Sequence, residues 1–154
     1  MKLEDEINQK KFKSETQKLI INMLYTSNWL EGKMKNFFDE AELTPQQYNV
    51  LRILRGSKES LSTNQIRERM LDKMSDASRI VDRLIVKNLA TKKTHSSDKR
   101  LVQVEITKKG LKLLENLDPK ILEMEAGITG LTKTESATMN ALLDKMRNVK
   151  NNTQ

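Results

Sequence analysis

Two groups of residues have types and spacings that do chemistry. The stretch SSDKRLVQVEITKKG, Ser96 to Gly110, sets Asp98, Lys99 and Arg100 side by side just ahead of an alternating run. A turn needs residues that tolerate tight backbone geometry, not three adjacent charges. Such a tip is either a solvated loop, the usual fate of charged hairpin ends, or a finger that touches something negative. Upstream, Ser75, Ser78, Arg79 and Asp82 recur at i, i+3, i+4 and i+7. On a helix these four share one face, and Arg83, one turn beyond Arg79, borders it. An arginine offers a two-donor fork that matches guanine O6 and N7, and serine hydroxyls reach bases or phosphates. The commoner fate of such arginines is a surface pairing with a neighbour such as Asp82.

Other chemistries are excluded more firmly. The chain has no cysteine and one histidine, His95. That removes disulfides, thiolate zinc sites, thiol nucleophiles and cysteine redox sensing, and leaves His95 without a companion for a metal site. Ser96, Ser97 and Asp98 beside His95 suggest a hydrolytic triad only on paper, because a solvent loop does not preorganise one. Asp39, Glu40 and Glu42 fall at the end of a helical pattern and read as solvated. No enzymatic constellation, cofactor or metal is therefore expected.

The 154 residues suffice for one domain with a modest core. With 36% hydrophobic, 32% charged and only 4% aromatic residues, the balance suits a helix-rich protein and not a β-sandwich. No apolar run approaches the roughly 18 residues of a membrane span. The N-terminus MKLEDEINQKKFK lacks an apolar signal region, so a cytoplasmic location is expected. The net charge of +7 is concentrated: Ser62 to Gly110 holds 12 Lys/Arg against 6 Asp/Glu. One third of the chain thus carries nearly all the excess, the footprint of a polyanion binder.

The elements that must position these groups are set by periodicity and caps. Phe12, Leu19, Met23, Leu30, Met34 and Phe37 predict a long amphipathic helix over about Asp5–Phe38. Thr44 with Pro45 and Gln47, and Ser62 with Gln65, are capping boxes that open two short helices. A third starts near Ser75, with Ala77, Ile80, Val81, Leu84 and Ile85 as its apolar face, and ends at Asn88. Two strands come next, LATKK and LVQVEI, joined by THSSDKR. Thr107 caps the next helix, in which Pro119 predicts a kink or a restart. Thr132 and Glu135 form a third capping box, opening a last helix with Met139, Leu142, Leu143 and Met146 inward.

Three short helices and a hairpin make a winged helix-turn-helix, so the fold is mainly α with a small β-hairpin. The wing DKRLVQVEITKKG and the helix SRIVDRLIVKNL resemble the MarR (multiple antibiotic resistance regulator) family, with Asn88 where that family usually has Gly and IT where it usually has LT. The resemblance covers essentially the whole chain. It implies a single MarR-like domain over 1–154: dimerisation helices at about 5–40 and 111–150, and a DNA-binding lobe at about 44–110. It implies a homodimeric, sequence-specific regulator of transcription, expected to be a repressor on a pseudo-palindromic double-stranded operator. Arg100 becomes a minor-groove probe braced by Asp98, while Lys92, Lys93, Lys99 and His95 face phosphates. The terminal helices would interlock through Phe12, Leu19 and Ile20 against Leu142, Leu143 and Met146. A small aromatic or phenolic effector would sit among Tyr25, Trp29, Met34, Phe38 and Tyr48, residues that ordinary core packing explains equally well. The competing expectation is a winged-helix protein-interaction module without specific DNA binding, for which acidic residues on the reading face would make sense.

Overall fold

The computed structural model describes residues 1–94 and 102–148. The chain forms α1 (Leu3–Glu6), α2 (Glu15–Asp39), α3 (Pro45–Arg55), β1 (Leu61–Ser62) and α4 (Thr63–Arg69). It continues through α5 (Ala77–Val86), β2 (Ala90–Thr94), β3 (Val102–Ile106), α6 (Lys108–Ile128) and α7 (Lys133–Arg147). It divides into two compact units, Met1–Lys112 and Leu113–Gln154.

The long first helix expected over about Asp5–Phe38 is interrupted. Asn8 takes a left-handed φ of 52°, and α2 begins only after Ser14, whose hydroxyl accepts from Gln17 N. The apolar period runs through the break, but S-E-T-Q is itself a start signal. Instead of returning to the cap residue, the Gln17 side chain accepts from Lys13 N at 2.7 Å. The capping boxes at Thr44/Gln47 and Ser62/Gln65 are both formed reciprocally, with Pro45 at the start of α3.

The sheet has three strands, not two. Leu61 and Ser62 pair antiparallel with Val104 and Gln103, giving the order β1-β3-β2. Ser62 thus ends a strand and caps a helix at once, which fixes α4 to the sheet. The hairpin β2–β3 is in register from Ala90↔Ile106 to Thr94↔Val102. Its central Val104 is fully buried, together with Val50, Leu51, Ile66, Val81 and Leu84. These side chains from α3, α4, α5 and β3 form the core of the first unit, each contributing about 1.5–3 kcal/mol by leaving water.

Helix α5, expected to start near Ser75, begins at Ala77. Asp76, not Ser75, is the N-cap, and its carboxylate accepts from Arg79 N at 3.1 Å. Past its end Asn88 adopts φ 59°, the left-handed turn expected of it. Thr107 caps α6, its hydroxyl accepting from Gly110 N at 3.1 Å. Pro119 lies inside α6, and the helix does not restart there. In the second unit Leu114, Leu117 and Ile121 of α6 are buried. Thr132 and Glu135 form the third capping box, but α7 has no buried residue. Met139, Leu142 and Met146, expected to face inward, are exposed.

Candidate nucleic-acid interface

The helix-turn-helix is α4, the turn Met70–Asp76 and α5. The turn is organised by Asp72. Its carboxylate accepts from the Ser75 hydroxyl at 2.5 Å and from Met74 N at 2.9 Å. The Ser75 hydroxyl, followed by the Met74 amide, holds the Asp72 carboxyl below its ordinary range. From the other side Asn49, buried on α3, accepts from Leu71 N at 3.3 Å. The turn is thus tied at both ends to side chains chosen by the sequence.

On α5 the apolar stripe Ala77, Val81 and Leu84 is buried, which turns Ser78, Arg79, Asp82 and Arg83 outward. Those four do share an exposed surface. Ser75 lies just before the helix, half-buried, with its hydroxyl committed to Asp72. The charges are arranged in pairs. Arg79 Nε lies 3.3 Å from the capping Asp76. Asp82 is paired with Lys92 of β2 at 2.6 Å, so α5 and the wing strand are joined. Lys93 pairs across the hairpin with Glu105 at 2.6 Å. Lys92 and Lys93, expected as phosphate contacts, each pair with a carboxylate in the chain itself. Arg83 meets no carboxylate within ion-pair distance among the described residues. The wing tip, with His95, Asp98, Lys99 and Arg100, lies outside the described residues.

The structure adds residues that the sequence did not single out. Thr63, Asn64 and Arg67 of α4 line an open polar notch with Lys73, Met74, Ser75, Asp76, Ala77 and Ser78. The signal was available: the Ser62 cap fixes where α4 begins, and Thr63 and Arg67 are then one turn apart on one face. The notch adds two cations, Arg67 and Lys73, beside the outward face of α5.

The aromatic group is not brought together. Tyr25 and Phe38 are 13 positions apart on α2, a rise of roughly 20 Å. Phe38 is fully buried and stacks on Tyr48 with ring centroids 4.5 Å apart, so it is core. The Tyr25 hydroxyl donates to Glu6 at 2.8 Å, and that bond raises its pKa. Trp29 and Met34 are half-buried, with Lys33 6.0 Å over the indole. Among the described residues no group of acidic or histidine side chains converges to hold a metal ion, and no helix is long and apolar enough to cross a membrane.

A family model described as the MarR family matches residues 41–101, which run from the turn before α3 to the residue before β3. No curated protein matches the chain in sequence. The fold is similar to a MarR transcription factor from Planctomyces limnophilus, with 28% identity, TM-score 0.68, and coverage of 91% of this chain and 100% of that one. It is also similar to a mutant MarR from E. coli complexed with operator DNA: 21% identity, TM-score 0.73, 95% of this chain and 99% of that one. A third similar structure is BpsR of Bordetella bronchiseptica, whose DNA binding is regulated by 6-hydroxynicotinic acid: 22% identity, TM-score 0.70, 84% of this chain and 98% of that one. The helix-turn-helix segment thus matches the MarR family model, and the fold is similar to that of MarR transcription regulators over most of the chain.

Proposed function

We propose that the chain binds double-stranded DNA sequence-specifically as a homodimer and represses transcription from a pseudo-palindromic operator. The observation that carries this reading is the outward face Ser78, Arg79, Asp82 and Arg83 set beside the basic notch of Arg67 and Lys73. Helix α5 enters the major groove, where Arg83 and Arg79 address base edges. Arg67 and Lys73 take phosphates on the flank, as does Lys99 at the wing tip, and Arg100, braced by Asp98, enters the adjacent minor groove. Two copies related by a two-fold axis read half-sites about 10 bp apart, one helical turn. The operator complex of the similar E. coli protein supports this reading.

The acidic residues of the face support it too. Asp76 caps α5 and Asp82 holds Lys92, so both carboxylates have intrachain roles and need no basic protein partner to explain them. A small aromatic effector, of the class that regulates the similar BpsR, would act by favouring a head-to-head spacing that no longer matches the operator. Tyr25, Trp29 and Met34 remain the candidate contacts.

The test is selection of bound duplexes from a random pool, with affinity then measured over a range of salt. A two-fold motif and an affinity that falls steeply with salt are expected. Arg100→Ala should weaken binding by about 1–3 kcal/mol. Weak binding that is indifferent to sequence would overturn the proposal.

A further inference from the structure

The turn between α4 and α5 carries two large apolar side chains in open solvent. Leu71 is 81% exposed and Met74 is 94% exposed. Isolated exposed apolar residues are ordinary on protein surfaces. Met74 is set apart by its surroundings. It stands two residues before the N-cap of α5, on a notch otherwise lined almost entirely by polar or charged side chains. It packs nowhere, yet its backbone is held: Met74 N donates to Asp72, and the next residue, Ser75, donates its hydroxyl to the same carboxylate. A side chain anchored at its base and bare at its tip is presented, not stored. Met is flexible and polarisable and adapts to an irregular apolar partner.

Charge and position identify the occupant. Arg67 and Lys73 line the notch with Met74; of the nearby carboxylates, Asp76 caps α5 and Asp72 holds the turn, so the two cations are the charges left to meet a negatively charged partner. In helix-turn-helix proteins the residues at the N-terminal end of the reading helix meet base edges in the major groove. The apolar group displayed there is the thymine 5-methyl, the mark that apolar side chains read in that groove. We infer that Met74 is a specificity-determining residue whose thioether lies against a thymine methyl in the major groove, next to the bases addressed by α5. The inference rests on the DNA-binding reading above and names one feature of the sequence recognised.

The test uses the full-length protein and a duplex selected from a random pool. That duplex is resynthesised with each thymine replaced in turn by uracil, which removes only the 5-methyl group. Dissociation constants are measured for the wild type, Met74→Ala and Leu71→Ala. At one position per half-site, uracil should weaken wild-type binding roughly three- to tenfold, the scale of a single apolar base contact. Met74→Ala should lose a similar factor on the thymine duplex and stop distinguishing thymine from uracil there, while Leu71→Ala keeps the distinction. Equal binding of thymine and uracil duplexes at every position would overturn the inference and leave DNA binding standing. So would discrimination that survives Met74→Ala or vanishes in Leu71→Ala. Failure to select any duplex would remove the DNA-binding reading and this inference with it.

Discussion

At the scale of single residues, Gly110 locks the exit of α5 against the start of α6. A Cβ built there would lie 2.4 Å from the carbonyl oxygen of Leu89 and 2.8 Å from Ile106 Cγ1. Three segments meet at this point. Thr107 donates its hydroxyl to the Asn88 carbonyl at 2.8 Å and its amide to Leu89 O at 3.0 Å, while Gly110 N returns to the Thr107 hydroxyl. The exit of α5, the end of β3 and the entry of α6 are thus one knot, and the tightest contact is with backbone, which yields less readily than a side chain. Gly110→Ala should destabilise the protein by about 1–3 kcal/mol, the range for overpacking. The check is thermal unfolding, where an unchanged midpoint would mean that the close approach relaxes freely. A second residue-scale expectation concerns pH. The Thr132 backbone amide, then its hydroxyl, lower the Glu135 pKa. A carboxyl whose folded pKa is depressed stabilises fully above its unfolded value, and the contribution fades as pH falls through the folded one. Amide exchange in the first turn of α7 should therefore quicken in acid, below the ordinary glutamate range. Glu135→Gln should flatten that dependence.

At the scale of elements, the ion pair of Asp82 with Lys92 joins α5 to the wing strand. Both side chains are partly exposed, so the pair adds only about 0.2–1 kcal/mol to stability. Its place is what matters: it links α5 to the first strand of the hairpin. If Lys92 stays with Asp82 on DNA, Lys92→Ala should leave the slope of log affinity against log salt nearly unchanged. An ordinary phosphate-contacting lysine would lower that slope by about one, and such a drop would return Lys92 to the phosphate contacts. This pair also shows what the sequence could and could not reveal. The capping boxes at Thr44, Ser62 and Thr132 were legible because a cap is a local device of four residues. The alternation of Val102, Val104 and Ile106 was legible for the same reason. Strand β1 was not, because two residues carry no period and Leu61 gains its partner from Val104, over forty positions away. The break before Ser14 was hidden by an apolar stripe that continues in phase across it. The face of α5 could be read from spacing alone. The partners of its charges could not, since Lys92 reaches Asp82 only after the hairpin has folded back.

At the scale of the whole molecule, the stripes left bare are as informative as the core. Helix α7 has 15 residues and none is buried, although Met139, Leu142, Leu143 and Met146 repeat at helical spacing. An isolated helix of that length is marginal in water, so a stripe of this kind requires a cover. On α2, Leu19, Ile20 and Leu24 are likewise exposed. A second copy of the chain offers both stripes again, and a two-fold axis lets each serve the other. In the proposed dimer the same axis would supply a second reading head, so that two half-sites are held at once. Assembly and DNA affinity should therefore fail together. Leu142→Glu combined with Met146→Glu should shift the protein from twice the mass of one chain to a single-chain mass in sedimentation equilibrium. Helical circular dichroism should fall as α7 frays. Affinity for a two-fold duplex should drop by orders of magnitude, while Leu122→Glu, on an exposed α6 position, serves as the control for added charge. A wild-type chain that sediments singly at micromolar concentration, yet binds a two-fold duplex tightly, would show that the stripes cover something else.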